Sequence, residues 1–103
     1  MRIIGGKHKG KVINPPKNFK ARPTTDFAKE ALFNILHNTF DFSELQVLDL
    51  FSGTGSIGFE FASRGAYFVE MIEKSFIHHN FIRKTILEMK MENARVIKTD
   101  VFI

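Results

Sequence analysis

The sequence predicts an α/β fold, the first half of a doubly wound, Rossmann-like sheet in which parallel strands alternate with helices. Apolar strand-like runs alternate with helical patterns after residue 44, and a glycine-rich turn follows the first run. An acidic residue also lies in or just after each of the three runs. A chain of 103 residues, 44% of them hydrophobic, can form one small domain with its own core.

A β-α-β-α-β order follows from the patterning of residues 45–98. Leu45–Phe51 is a nearly continuous apolar run, which predicts a strand buried on both faces of a parallel sheet. The later elements are predicted as a helix over 56–63 ending at Gly65, a strand over Tyr67–Ile72, a helix from a Ser75 cap to about Lys90, and a strand over Arg95–Lys98. The expected strand order is 3-2-1, with an unpaired edge on the first strand.

Another helix is predicted ahead of the first strand, over residues 26–38. Thr24, Thr25 and Asp26 supply N-cap candidates and an acid for the first turn. Apolar pairs then recur every four residues, which indicates an amphipathic helix: Phe27/Ala28, Ala31/Leu32 and Ile35/Leu36. The helix after Ser75 has its own apolar residues available for a buried face: Phe76, Phe81, Ile82, Ile86 and Met89.

Residues 1–24 are predicted to form a basic N-terminal arm. Residues 1–25 contain seven Lys or Arg and no acid, whereas residues 26–103 contain eight basic and eleven acidic residues. Arg2–Ile4 and Lys11–Ile13 flank a glycine- and lysine-rich turn, as in a β-hairpin, and prolines then indicate a linker over 14–23. The charge favours contact with nucleic-acid phosphates; an ordinary solvated arm is the alternative.

The turn Gly53-Thr-Gly-Ser-Ile-Gly58 has the G-x-G-x-x-G spacing of dinucleotide-binding sites. Asp49 lies in the preceding strand, and three residues separate it from Gly53. A carboxylate beside a pyrophosphate would be unfavourable, whereas it can receive the ammonium of S-adenosylmethionine. We therefore favour S-adenosylmethionine and keep a nicotinamide dinucleotide as the alternative.

Two further acids follow the second and third predicted strands. Glu73 can accept two ribose hydroxyls in either type of cofactor, so it does not discriminate between them. Asp100 can accept from the adenine amino group. Because parallel strands end at the same edge of a sheet, we expect Asp49, Glu73 and Asp100 to lie on one side of the domain.

Other classes of site receive little support from the sequence. The chain has no cysteine, and its adjacent histidines, His78 and His79, would point about 100° apart on a helix, so no metal site is expected. We expect a cytoplasmic protein, because no apolar run is long enough to span a bilayer and no signal peptide is evident. Asn14-Pro15-Pro16 resembles the Asn/Asp-Pro-Pro-aromatic motif of amino-group methyltransferases, but Lys17 replaces the aromatic residue. We interpret this segment as a linker turn.

Several segments resemble the N-terminal half of the bacterial 16S rRNA guanine-N2 methyltransferases, which use S-adenosylmethionine. They are Met1-Arg-Ile-Ile-Gly-Gly-Lys-His-Lys-Gly-Lys, Arg22-Pro-Thr-Thr-Asp26, Lys29-Glu-Ala-Leu-Phe-Asn34, Val47-Leu-Asp-Leu-Phe-Ser-Gly-Thr-Gly55, Ser63-Arg-Gly-Ala66 and Glu73-Lys74. The resemblance implies a class I methyltransferase fold in which residues 25–103 form part of the S-adenosylmethionine-binding domain.

The resemblance also implies roles for individual residues. Cofactor contacts would come from Asp49, Phe51, Ser52, Gly53, Thr54, Gly55, Glu73, Lys74, Asp100 and Val101. Contacts with rRNA or the small ribosomal subunit would come from Lys7, Lys9, Lys11, Arg22 and Thr24.

The family's catalytic Asp/Asn-Pro-Pro-Tyr motif follows a fourth strand, which this sequence does not contain. We therefore expect no catalytic residue and no unaided methylation from these 103 residues, and we expect a C-terminal half to pair beside the first strand. Two alternatives stay open, a nicotinamide-binding oxidoreductase fragment and a non-catalytic RNA-binding module.

Overall fold

The computed structural model describes residues 1–17, 24–50 and 52–100. The elements are helix α1 (Asp26–Thr39), a short 3-10 helix (Phe42–Glu44), strand β1 (Gln46–Asp49), helix α2 (Ser56–Ser63), strand β2 (Phe68–Glu73), helix α3 (Phe76–Met89) and strand β3 (Ala94–Lys98). The predicted helix followed by β-α-β-α-β is confirmed. The 3-10 helix was not predicted, and β1 is shorter than the predicted strand.

The three strands form one parallel sheet in the order β1-β2-β3. β2 is therefore central, as the predicted order requires. Within the described residues, β1 pairs with β2 alone, so its other edge has no strand beside it. This agrees with the predicted unpaired edge.

Local signals set the ends of the helices. The Thr25 side chain accepts a hydrogen bond from the backbone N–H of Ala28 at the start of α1. Ser75 caps α3 in the same way through the N–H of His78. Gly65 follows α2 with a φ of +90°, a left-handed conformation that glycine adopts readily at the end of a helix.

The N-terminal arm folds back as the predicted hairpin and contributes to the core. Arg2 and Val12 form an antiparallel bridge, and the backbone N–H of Ile3 donates to the carbonyl of Lys11 at 3.0 Å. Ile3 and Ile13 are buried, and they pack in the same cluster as residues of α2, α3 and the sheet. The arm is thus attached to the domain by apolar burial as well as by hydrogen bonds.

The prediction that β1 is buried on both faces is wrong for the described structure. Leu48 is 60% exposed, and Leu50, just after the strand, is 44% exposed. Both helices that follow β1 in the chain pack on the opposite face of the sheet, where Val69 and Met71 of β2 are fully buried. Burial is uneven on the face that carries Leu48, because Ile72 of β2, on the same face, is 8% exposed.

Two helix faces also differ from prediction. In α1 the buried residues are Lys29 and Phe33, whereas Phe27 and Ile35 of the predicted apolar stripe are 84% and 67% exposed. The ring of Phe33 lies edge-on to that of Phe61 at 4.7 Å, and this contact joins α1 to α2. In α3 the buried residues are Ile82, Thr85 and Met89, while Phe76 is 65% exposed.

Candidate functional site

The predicted acidic residues converge at the carboxyl edge of the sheet. Asp49 is the last residue of β1, Glu73 is the last residue of β2, and Asp100 follows β3 by two residues. Since the strands are parallel, all three ends lie on the same side. The N–H of Thr99 donates to the carbonyl of Glu73 at 3.1 Å, which ties the segment before Asp100 to the end of β2.

The glycine loop between β1 and α2 requires left-handed backbone conformations. Gly53 and Gly55 have φ values of +55° and +82°. A Cβ on Gly55 would come within 2.7 Å of the Phe59 ring. The N–H of Gly55 donates to the carbonyl of Ser52 at 2.7 Å, and α2 begins at the next residue. The loop is therefore a tight turn that brings bare backbone to the carboxyl edge.

Glu73 closes the loop onto the end of β2. One of its carboxylate oxygens accepts from the N–H of Gly53 at 2.9 Å, and the other accepts from the N–H of Ser75 at 3.0 Å. His78 lies 3.8 Å from the same carboxylate. Each carboxylate oxygen has a second lone pair, so the group can still accept hydrogen bonds from a ligand.

The other predicted cofactor residues differ in their placement. Asp49 is partly buried, and its backbone carbonyl accepts a hydrogen bond from the Ser52 hydroxyl at 3.2 Å. Ser52 and Thr54 are buried within the loop, while Lys74 is exposed just after β2. Phe51 and Val101 lie outside the described residues.

The predicted RNA-binding lysines all lie on the surface of the hairpin. Lys7, Lys9 and Lys11 are exposed. Partial burial, together with the positive charges of Lys7 and Lys11, lowers the pKa of His8 below its usual value. Thr24 is exposed before α1, and Arg22 lies outside the described residues. The hairpin therefore presents its positive charge to solvent.

Glu60 of α2 anchors the hairpin, a role that the sequence analysis did not assign. Its side chain is fully buried, and its two carboxylate oxygens accept from the backbone N–H groups of Ile4 and Gly5, each at 2.9 Å. Arg64 donates to Glu60 at 2.8 Å, and the Lys29 ammonium lies 3.5 Å away. This buried carboxylate is thus compensated by two cations and two peptide groups.

Lys29 connects α1, the hairpin and the start of α2. Its side chain is 1% exposed, and its ammonium donates to the carbonyl of Arg2 at 2.6 Å and to the hydroxyl of Ser56 at 3.2 Å. Ser56 is the first residue of α2, directly after the glycine loop. Lys29 and Arg64 both lie in segments that carry the family resemblance. Charged residues within otherwise apolar helical patterns are the sequence feature that could have indicated this buried cluster.

Comparison with known proteins places this geometry in a family. Residues 1–103 match the family described as conserved hypothetical protein 95. The chain belongs to this family. Its relatives include the ribosomal RNA small subunit methyltransferase D of Escherichia coli K12, 36% identical over 97% of this chain and 50% of the relative. The uncharacterized methylase RP545 of Rickettsia prowazekii is 43% identical over 71% of this chain and 34% of the relative.

A solved structure agrees with these relatives. The putative methyltransferase yhhF from Escherichia coli superposes with a TM-score of 0.82 and 33% identity, covering 97% of this chain and 52% of its own. The resemblance to bacterial small-subunit rRNA methyltransferases and the predicted methyltransferase-type α/β fold are confirmed. The chain spans about half the length of the E. coli relative.

Within residues 1–17, 24–50 and 52–100, no group of three or more His, Asp or Glu side chains is arranged to hold a metal ion. Among the helices in this part of the chain, none is long and apolar enough to cross a membrane.

Proposed function

We propose that this chain forms the cofactor-binding half of an S-adenosylmethionine-dependent methyltransferase that modifies a guanine N2 amine in 16S rRNA. The proposal rests mainly on the carboxyl edge of the sheet. There Asp49 precedes the Gly53–Gly55 turn, and the Glu73 carboxylate accepts a hydrogen bond from the N–H of Gly53. The names of the relatives support an rRNA substrate. The guanine N2 target rests on the sequence resemblance.

The residues at this edge suit S-adenosylmethionine. Asp49 and Glu73 supply negative charge and acceptor oxygens for an ammonium and for ribose hydroxyls, and Asp100 supplies a third acidic group. Gly53 and Gly55 leave the backbone open to close approach. When bound, the cofactor supplies an electrophilic methyl group.

The chain's own contribution to the reaction is binding and positioning. The carboxyl edge holds the cofactor, and Lys7, Lys9 and Lys11 contact RNA phosphates without reading sequence. A guanine in a duplex must leave its stack to reach such a site. The Pro-Pro catalytic motif would come from a C-terminal half that pairs beside β1, in a protein that acts in the cytoplasm on rRNA or the small subunit.

Ligand binding distinguishes the proposed S-adenosylmethionine site from the alternative, a nicotinamide dinucleotide site. Calorimetric titration of this chain with S-adenosylhomocysteine and with NADH compares the two ligands under the same conditions. We expect tighter binding of S-adenosylhomocysteine, because Asp49 would lie beside the pyrophosphate of NADH. Tighter binding of NADH would overturn the proposal.

The guanine N2 target is tested in cells that carry the intact gene. We expect deletion of the gene to remove one N2-methylguanosine from 16S rRNA, measured by mass spectrometry of the digested nucleosides. Complementation with the intact gene should restore that nucleoside, whereas a gene truncated after Ile103 should not. An unchanged nucleoside profile in the deletion strain would contradict the assigned target.

A further inference from the structure

A groove of about 590 Å³ lies between the N-terminal hairpin and α3, outside the glycine loop. One wall is formed by residues 11–14 and Pro16, and the other by the face of α3 that runs from Phe76 to Met89. The side chains on this face include polar, basic and aromatic residues. The groove therefore has a mixed lining, in which these residues lie beside apolar ones such as Ile13 and Met89.

The α3 wall presents three kinds of side chain in succession. Phe76, Asn80 and Lys84 lie four residues apart, so they project in one row along the helix. Phe76 is 65% exposed, although it belongs to the apolar positions that were predicted to be buried. An exposed ring, an amide and an ammonium can stack on a base, hydrogen-bond its edge and contact its phosphate.

The charge around the groove favours a polyanion. Helix α3 contains two basic residues, Arg83 and Lys84, and one acid, Glu88, and Lys74 and Lys90 flank the helix. Lys11 and Lys84 contribute one cation from each wall. Glu88 also lines the groove and lies 4.0 Å from Lys84, so that lysine is partly neutralised.

The groove also starts near the proposed cofactor site. Phe76 follows Glu73 by three residues, and α3 begins where the carboxyl edge of β2 ends. The opposite wall belongs to the hairpin whose lysines face solvent. A strand of RNA held by the hairpin could therefore continue along the groove toward the carboxyl edge.

We propose that this groove binds an unpaired nucleotide of the RNA substrate, with its base stacked on Phe76 and its phosphate near Lys11 and Lys84. The proposal rests on the function proposed above and adds a site for single-stranded RNA to it. A base within a duplex has no free face for Phe76, so the groove should favour single-stranded RNA.

Fluorescence anisotropy with a short single-stranded RNA, and with its duplex, tests the stacking. Phe76→Ala should weaken binding of the single strand about tenfold and leave the duplex almost unchanged. Tyr67→Ala is the matched control, because Tyr67 is 67% exposed and precedes β2 at the opposite edge of the sheet. Equal affinities of the Phe76→Ala and Tyr67→Ala proteins for the single strand would overturn the proposal.

The salt dependence of binding tests the phosphate contact. Lys84→Gln should reduce the slope of log affinity against log salt concentration by about 0.7 for the single strand. Arg83→Gln removes a neighbouring charge that does not line the groove, so its effect should be smaller. A larger loss of slope in Arg83→Gln than in Lys84→Gln would contradict this placement.

Two further measurements separate failure of the groove from failure of the proposed function. If the chain binds S-adenosylhomocysteine and Lys7→Gln or Lys9→Gln weakens RNA binding, the proposed function stands whatever the groove variants show. If those two results hold and Phe76→Ala has no effect on RNA binding, only the proposed nucleotide site in the groove is overturned. Tighter binding of an acidic peptide than of RNA in the groove would overturn that site in the same way. A chain that binds neither S-adenosylhomocysteine nor RNA would overturn both.

Discussion

The two faces of the sheet differ in how completely they are packed. On the face covered by α2 and α3, Val69 and Met71 are fully buried. On the other face, Leu48 is 60% exposed, and the register places it in line with Glu70 and Arg95, which form an ion pair at 2.6 Å. Parallel sheets normally have both faces covered. Among the described residues, the hydrophobic packing is therefore more complete on the helix face, to which the hairpin is attached.

The largest predicted difference between the two regions concerns their carboxylates. Glu60→Ala should lower the free energy of unfolding by about 3–5 kcal/mol, because it removes the carboxylate that offsets the buried Lys29 charge and leaves the N–H groups of Ile4 and Gly5 without their acceptor. Glu70→Ala lies on the face of the sheet that carries Leu48, here called the open face. It should lower the free energy of unfolding by about 1 kcal/mol or less, since Arg95 stays solvated. Urea denaturation measures both. Equal losses would contradict the assignment of Glu60 as the anchor.

Comparing substitutions at two glycines of the hairpin, Gly6 and Gly10, tests the contact between the hairpin and α2. Gly6 and Gly10 have nearly equal φ values, +81° and +85°. A Cβ on Gly6 would lie 2.0 Å from the carbonyl oxygen of Ser63, whereas a Cβ on Gly10 would meet nothing within 4 Å. Gly10→Ala should cost about 1–2 kcal/mol from backbone strain alone. Gly6→Ala should cost about 1–3 kcal/mol more.

Thermal or urea unfolding of the two glycine variants gives the difference directly. Because the backbone strain is common to both, the difference between them reports the hairpin contact with Ser63. Indistinguishable stabilities would mean that the hairpin does not depend on this contact.

Structural features that depend only on residues adjacent in sequence could be predicted. Thr25 and Ser75 are caps as predicted, because a cap needs only the next three residues. The buried face of α1 was not predictable in the same way. Lys29 is buried because Ser56, Glu60 and the carbonyl of Arg2 surround its ammonium, and all three lie 27 or more residues away in the chain.

The carboxyl edge was predictable for a different reason. Once three parallel strands are recognised, their acidic ends must converge, so Asp49 and Glu73 could be placed together. The hydrogen bond from Gly53 to Glu73 was not predicted, since it depends on the detailed path of the loop. The exposed Phe76 was likewise missed, because an apolar residue at a helical period is normally buried.

A substitution on the open face should separate stability from association. Leu48→Thr should change the free energy of unfolding by about 0.5 kcal/mol or less, because the side chain is mostly exposed. It should also reduce self-association, measured by sedimentation velocity, since an exposed leucine beside an unpaired strand edge favours contacts between copies. Val69→Ala on the packed face is the control and should lower stability without reducing association.

The smallest predicted effect is a pH dependence from the hairpin. The pKa of His8 is lowered in the folded chain, so the unfolded chain binds more protons just below the ordinary pKa of about 6.5. The free energy of unfolding should therefore fall as the pH decreases through that window and rise as the pH increases through it. His8→Gln should flatten this part of the profile, whereas His37→Gln on α1 should leave the His8 contribution in place.

Cofactor binding at the carboxyl edge is the central claim, and one matched pair of variants on β2 tests it. Glu73 and Glu70 belong to the same strand, but Glu73 closes the glycine loop whereas Glu70 pairs with Arg95 on the open face. Titration with S-adenosylhomocysteine should show affinity about tenfold or more weaker in Glu73→Ala and unchanged in Glu70→Ala. Wild-type affinity in Glu73→Ala, or an equal loss in both variants, would contradict the placement of the cofactor at this edge.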